Sequence, residues 1–192
     1  MPEEQHRKWS VSRYETVIAT LVGFLALCIS SYTAYMQRQQ VRAAVWPILE
    51  YNTSNEPDIY FTVANKGVGP AIVRHVIVRV DGQPVRRWDE ALHKLLGPGP
   101  HPFSESNISG HVLSAGESTN ILTPDDENGK PLSSDKKDAL WNRLNKDRAR
   151  VTVEICYCST LGECWTLRAD NSGGAITETA HCPEPSATSF QQ

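Results

Sequence analysis

The feature that most constrains this chain is an uncharged window near its start. From Thr16 to Gln37 the sequence TVIATLVGFLALCISSYTAYMQ holds no Asp, Glu, Lys or Arg. As a helix these 22 residues would be about 33 Å long at ~1.5 Å per residue, which matches a bilayer core of ~30 Å. Tyr32, Tyr35 and Met36 at one end, and Trp9 and Tyr14 at the other, are amphipathic side chains suited to the headgroup layers. A cleaved signal peptide is the competing reading, but no Ala-x-Ala pattern follows the apolar run. The window therefore predicts a membrane anchor, with the lipid bilayer as the first partner.

Orientation follows from the flanking cations. Arg7, Lys8 and Arg13 precede the window, and Arg38 and Arg42 follow it, which favours a cytoplasmic N-terminus and a C-terminal domain outside. Within the window Ala19, Gly23, Ala26, Ser30 and Thr33 recur at steps of four and three. Such a stripe of small side chains is a candidate packing face for a homodimer, with lipid as the competing occupant. The expected organisation is a cytoplasmic segment 1–13, a transmembrane helix 14–37, a helical stalk 38–46 ending at Trp46-Pro47, an extracytoplasmic domain 47–182 and a disordered tail 183–192.

Beyond the stalk the chain is acidic, with 14 Lys+Arg against 19 Asp+Glu from Pro47 onward, so nucleic acid is not an expected partner. Residues 59–64 alternate as Ile59, Phe61 and Val63 against Tyr60, Thr62 and Ala64, and Ala71–Val80 is dense in β-branched residues. Both read as strands, joined as a hairpin or crossing between two sheets. Asp81-Gly82 supplies a turn tolerant of positive φ. Trp88, Ala91, Leu92 and Leu95 fall at helical spacing within 85–96, weaker strands fit 108–113 and 119–122, and 123–134 reads as a surface loop. Ser134 would cap a helix 135–147 that turns Leu140, Trp141 and Leu144 inward. The pattern predicts a mainly β fold, an antiparallel β-sandwich of immunoglobulin-like type with short helical insertions, preceded by one N-terminal transmembrane helix.

Four of the five cysteines fall within 27 residues near the C-terminal end. Pairing RVTVEICYC with CWTLRAD sets Cys158 opposite Cys164, and that register puts Tyr157 opposite Trp165, Ile155 opposite Leu167 and Val153 opposite Ala169 on one apolar face. The other face then pairs Glu154 with Arg168 and Cys156 with Thr166; a slip of one residue loses every match. Opposed residues lie within disulfide range, so Cys158–Cys164 is available and leaves Cys156 for Cys182. Sequence leaves open the alternative of Cys156 with Cys164 and Cys158 with Cys182. Closing the loop of about 27 residues from Cys156 to Cys182 would contribute on the order of 3.5 kcal/mol in the chain-entropy model. Clustering of this kind suits an oxidising compartment. Two other chemistries compete with structural disulfides: a four-thiolate zinc site, for which Cys-x-Cys is closer than the usual ligand spacing, and a redox dithiol, for which a strand beside Glu154 is an unusual setting.

In Trp46-Pro47, Asn65-Lys66-Gly67-Val68-Gly69-Pro70-Ala71, Cys156-Tyr157-Cys158-Ser159 and Cys164-Trp165 the chain resembles small, uncharacterised bacterial single-pass membrane proteins. It implies a bacterial inner-membrane location with a periplasmic domain, and it implies no activity.

Other candidates have simpler explanations. Gly67-Val68-Gly69 precedes a strand, unlike a phosphate cradle, and reads as a turn. His75 and His101 match no metal-ligand spacing, Ser114-Ala115-Gly116 is not a nucleophile elbow, and Asp125-Asp126-Glu127 reads as a solvated loop. With no catalytic constellation and no cofactor-binding or metal motif, the expected function is a non-enzymatic envelope module that binds a protein or cell-wall partner. The alternative is a membrane-tethered thiol-redox or zinc-binding protein that uses the C-terminal cysteines.

Overall fold

The computed structural model describes residues 3–135, 139–184, 186 and 189–191, with side chains from residue 14 onward. The chain divides into two compact units, Met1–Ala43 and Ala44–Gln192. The first is a single helix: α1 runs Glu3–Ala44, and its segment Tyr14–Ala44 is long and apolar enough to cross a membrane, with a mean hydropathy of 1.9 in its most apolar window. None of that window is buried; Leu21, Phe24, Leu27 and Tyr32 stand open along the rod, and the Thr20 and Thr33 hydroxyls are satisfied by the carbonyls of Thr16 and Ile29 one turn back.

The second unit contains β1 (Leu49–Ser54), β2 (Tyr60–Asn65), β3 (Ala71–Val80), β4 (Gln83–Val85), α2 (Trp88–Leu96), β5 (Phe103–Ser104), β6 (Val112–Leu113), β7 (Ser118–Pro124), α3 (Ala139–Asp147), a 3-10 turn (Arg148–Arg150), β8 (Val151–Cys158), β9 (Cys164–Asp170) and β10 (Gly173–Thr179). Two antiparallel sheets result. One has the order β1-β2-β7-β5; the other runs β10-β9-β8-β3-β4, with β6 also on β3. Strands β2, read from its alternation, and β3, read from its β-branched residues, therefore lie in different sheets.

One hydrophobic cluster joins the sheets. Phe61 and Val63 from the first meet Val76, Val78, Ile155 and Leu167 from the second, and α2 closes the cluster with Trp88, Leu92 and Leu95. Apolar residues of α2 at helical spacing face inward, and Gly97 ends the helix at φ 91, where a side chain would be strained. The β3–β4 hairpin turns at Asp81 and Gly82, with φ of 53 and 76, and Arg150 grips the Asp81 carboxylate through both Nε and Nη2.

The structure differs from the sequence expectations in several places. Strands β1, β4, β5 and β10 were not anticipated. Of the stretch 108–113, only Val112–Leu113 pairs, while Ile108 is buried in a loop. Strand β7 continues to Pro124, and the loop beyond it is pinned by the isolated bridges Asp125↔Pro131 and Asp58↔Ser133. Residues 136–138 lie outside the described residues, so the expected start of the third helix is not seen; Ser134 and Asp135 sit in a turn, and the described helix begins at Ala139.

The tail departs furthest from expectation. Phe190 is buried, edge-on to Trp88 with ring centroids 4.9 Å apart. Its N–H donates to Val76 O at 2.9 Å, and Gln191 N–H donates to Arg86 O at 2.7 Å. Strand β6 pairs with β3 at residues 71–72 and β4 pairs at 78–80, which leaves a gap along that edge of β3, and the tail fills it.

The glycine-rich segment after β2 has a specific role. Asn65 is fully buried, and its side chain makes four hydrogen bonds to backbone. Nδ2 donates to Gly69 O (2.8 Å) and Leu113 O (3.0 Å), while Oδ1 accepts from Ile48 N (3.2 Å) and Gly67 N (3.0 Å). The loop thereby clamps the chain at 45–48. A Cβ on Gly67 would fall 2.4 Å from Trp46 O, and one on Gly69 would fall 2.1 Å from Val45 O.

Candidate functional site

The β8–β9 hairpin carries the residues with the most distinctive chemistry. Every cross-strand pair expected from the sequence is present, from Val153↔Ala169 to Cys158↔Cys164. Inward-facing Val153, Ile155 and Tyr157 pack in the core, while Glu154, Cys156 and Cys158 occupy the opposite face. Two disulfides form on that face, Cys158–Cys164 across the hairpin mouth with Cα atoms 4.0 Å apart and Cys156–Cys182 to the tail with Cα atoms 5.6 Å apart. This selects one of the connectivities that sequence left open.

The two bonds touch. Cys158 Sγ lies 3.8 Å from Cys182 Sγ, and the Sγ atoms of Cys158, Cys164 and Cys182 all lie within 4.8 Å of one another. Cys156, Cys158 and Cys164 are buried and Cys182 is half-buried. Held as disulfides, these sulfurs offer no thiolate to a metal. The hairpin tip, residues 159–163, is closed by Ser159 N–H to Glu163 O at 2.7 Å and leaves Leu161 exposed.

The surroundings are ordered by side chains from three directions. Trp165 is flanked by Tyr157 at 5.9 Å and by the half-exposed Trp46 at 6.4 Å between ring centroids. Tyr157 OH accepts from Leu49 N–H at 3.4 Å; burial nonetheless raises its pKa above the ordinary Tyr value. On the outer face, burial works against the Glu154 carboxylate, but Arg168 and Arg79 outweigh it and hold its pKa below the usual Glu value. The shallow depression lined by Arg79, Glu154, Arg168 and Asp170 is thus built around an ion-paired carboxylate.

Cys156 stands opposite His75 in the β3–β8 register, just beyond an irregularity between Val73 and His75. His75 is buried, and its Nε2 shares a 2.8 Å hydrogen bond with Ser189 Oγ, which also accepts from Ser186 N–H at 2.6 Å. Desolvation lowers the His75 pKa, against the pull of nearby Glu154, with Arg79 adding to the lowering. The tail is therefore fastened at three points: the Cys182 disulfide, the His75–Ser189 bond and buried Phe190.

The other sequence candidates fall elsewhere. Ala19, Gly23, Ala26, Ser30 and Thr33 lie on α1, where a Cβ on Gly23 would meet nothing within 4 Å. Free Cys28 is exposed on the same helix. His101 Nε2 bonds Gly97 O, Asp125 accepts from Ser104 Oγ, and Asp126 Oδ1 accepts from the amides of Asn128 and Lys130, so these polar residues organise their own loops. The clamp at Asn65, the His75–Ser189 clasp and the open strand β10 were missed. A polar residue opening a Gly-x-Gly turn was the one available signal, for Asn65. No protein-family model matches the chain, and neither a curated protein nor a solved structure is significantly similar to it.

Proposed function

We propose that this is a single-pass envelope protein, anchored in a bacterial inner membrane by residues 14–37 with its N-terminus cytoplasmic and an immunoglobulin-like β-sandwich in the periplasm. There it works as a non-enzymatic binding module. The disulfides support an oxidising compartment. The binding reading rests on one observation. Among the described residues strand β10 pairs only with β9, its residues 173–178 are exposed, and within the strand Glu178 is the sole charge, with no Pro or Lys to blunt the edge. Open edges of this kind accept an extended segment from a partner through main-chain hydrogen bonds.

The test is site-specific photo-crosslinking in cells from Ala175 and Thr177. A discrete adduct with another envelope protein, lost when Ile176→Lys is added, is the expected result. Absence of any adduct from either position, with the protein folded and at its normal level, would refute the edge as a binding surface. Labelling of Val68→Cys with a membrane-impermeant maleimide reports the compartment separately, because Val68 is exposed.

A further inference from the structure

We propose that Cys158, Cys164 and Cys182 form a thiol–disulfide exchange centre whose co-substrate is a dithiol, and that two-electron reduction of the domain yields a Cys158–Cys182 bond with Cys156 and Cys164 as thiols. The inference goes beyond the binding reading and is independent of it. It rests on the 3.8 Å contact between Cys158 Sγ and Cys182 Sγ, which belong to different disulfides. Exchange proceeds by attack of a thiolate on a disulfide sulfur, so a thiolate released at either atom already lies against its next target.

Cys182 is the most accessible of the four and is the natural point of entry. One thiolate of the incoming dithiol bonds to Cys182 Sγ, the Cys156–Cys182 bond breaks, and its electron pair leaves on Cys156, which takes up a proton. The second thiol of the co-substrate then loses its proton and attacks the mixed disulfide, departing as a cyclic disulfide and leaving Cys182 as a thiolate. Cys182 attacks Cys158 Sγ; the Cys158–Cys164 bond breaks, and the electron pair and a proton end on Cys164. The dithiol has lost two electrons and two protons, and the protein has gained both. Entry at Cys164 instead would release Cys158 as the thiolate, which attacks Cys182 and frees Cys156. Both routes converge on the same product because both pass through the same contact.

Exchange also moves the tail. Its covalent anchor shifts from Cys156 to Cys158, two residues and about 6.6 Å along β8 at ~3.3 Å per residue. Cys156 is the residue opposite His75, which the tail's Ser189 holds.

The experiment uses the full chain in detergent, titrated with limiting dithiothreitol, acid-quenched, alkylated and mapped by mass spectrometry of unreduced peptides. The expected result is that at least half of the molecules with two alkylated cysteines carry the label on Cys156 and Cys164 and retain Cys158–Cys182. A two-thiol species that retains either original bond as its main form, or release of all four thiols together, would overturn the proposal. Cys164→Ser provides a second test without reductant: alkylation divided between Cys156 and Cys158 supports exchange, and alkylation of Cys158 alone refutes it. Neither outcome depends on whether β10 binds a partner.

Discussion

Replacing Asn65 with Ala removes the hydrogen bonds its fully buried side chain makes to four backbone groups: Gly69 O, Leu113 O, Ile48 N and Gly67 N. A net hydrogen bond is worth about 1 kcal/mol, and an abandoned buried partner costs about 1–3 kcal/mol. Four bonds at the lower figure give about 4 kcal/mol, a large part of the ~5–15 kcal/mol that holds a typical domain together. The assay is urea unfolding of the detergent-solubilised chain with disulfides intact, followed by tryptophan fluorescence, since Trp88 and Trp165 lie in or beside the core. Asn65→Asp sharpens the test: it keeps an acceptor for the two amides but turns an oxygen toward the two carbonyls, so it should cost at least as much at neutral pH and recover partly in acid. A loss below about 1 kcal/mol for Asn65→Ala would refute the claim that this side chain holds the loop and chain together.

Three further outcomes follow from the packing and the charges. Phe190→Ala should cost about 3 kcal/mol, the low end for a buried Phe, and should raise protease sensitivity in the tail; an unchanged unfolding midpoint would remove the tail from the core. Tyr51 buries a hydroxyl with no hydrogen-bond partner among the described residues, so Tyr51→Phe should be neutral or stabilising by up to about 1 kcal/mol in the same urea assay. Stability should fall in two steps on acidification. The folded His75 pKa lies below 6.5, so the unfolded chain takes up the proton first and stability declines as pH drops below about 6.5 until the folded imidazole also titrates. Glu154, held below 4.5, gives the second decline under that value. His75→Gln should flatten the first step and leave the second.

How much of this was legible depends on the kind of signal each segment carries. The β8–β9 register could be read because six residue pairs had to match at once, and one slip of β9 would have turned Arg168 toward the core and separated it from Glu154. Strand β3 was readable from its β-branched density alone. Strand β1 has only Leu49 and Tyr51 facing inward before Asn52, Thr53 and Ser54, too short an alternation to register. Strand β10 has no buried face, so burial wrote no pattern into it. Beyond Cys182, the side chains that anchor the tail are one aromatic ring and one serine, and single anchors have no period. Cysteine spacing allowed three pairings; only the return path of the chain to Cys182 decided among them.

Seating Phe190 against Trp88 sets a condition on biosynthesis. Strands made early, including β2 and β3, share a hydrophobic interior that gains one of its rings only after residue 190 has left the ribosome and, on the proposed topology, crossed the membrane. Until then an indole face is uncovered, and a stalled or clipped chain would carry that sticky surface as a mark of incompleteness for chaperones and proteases to find.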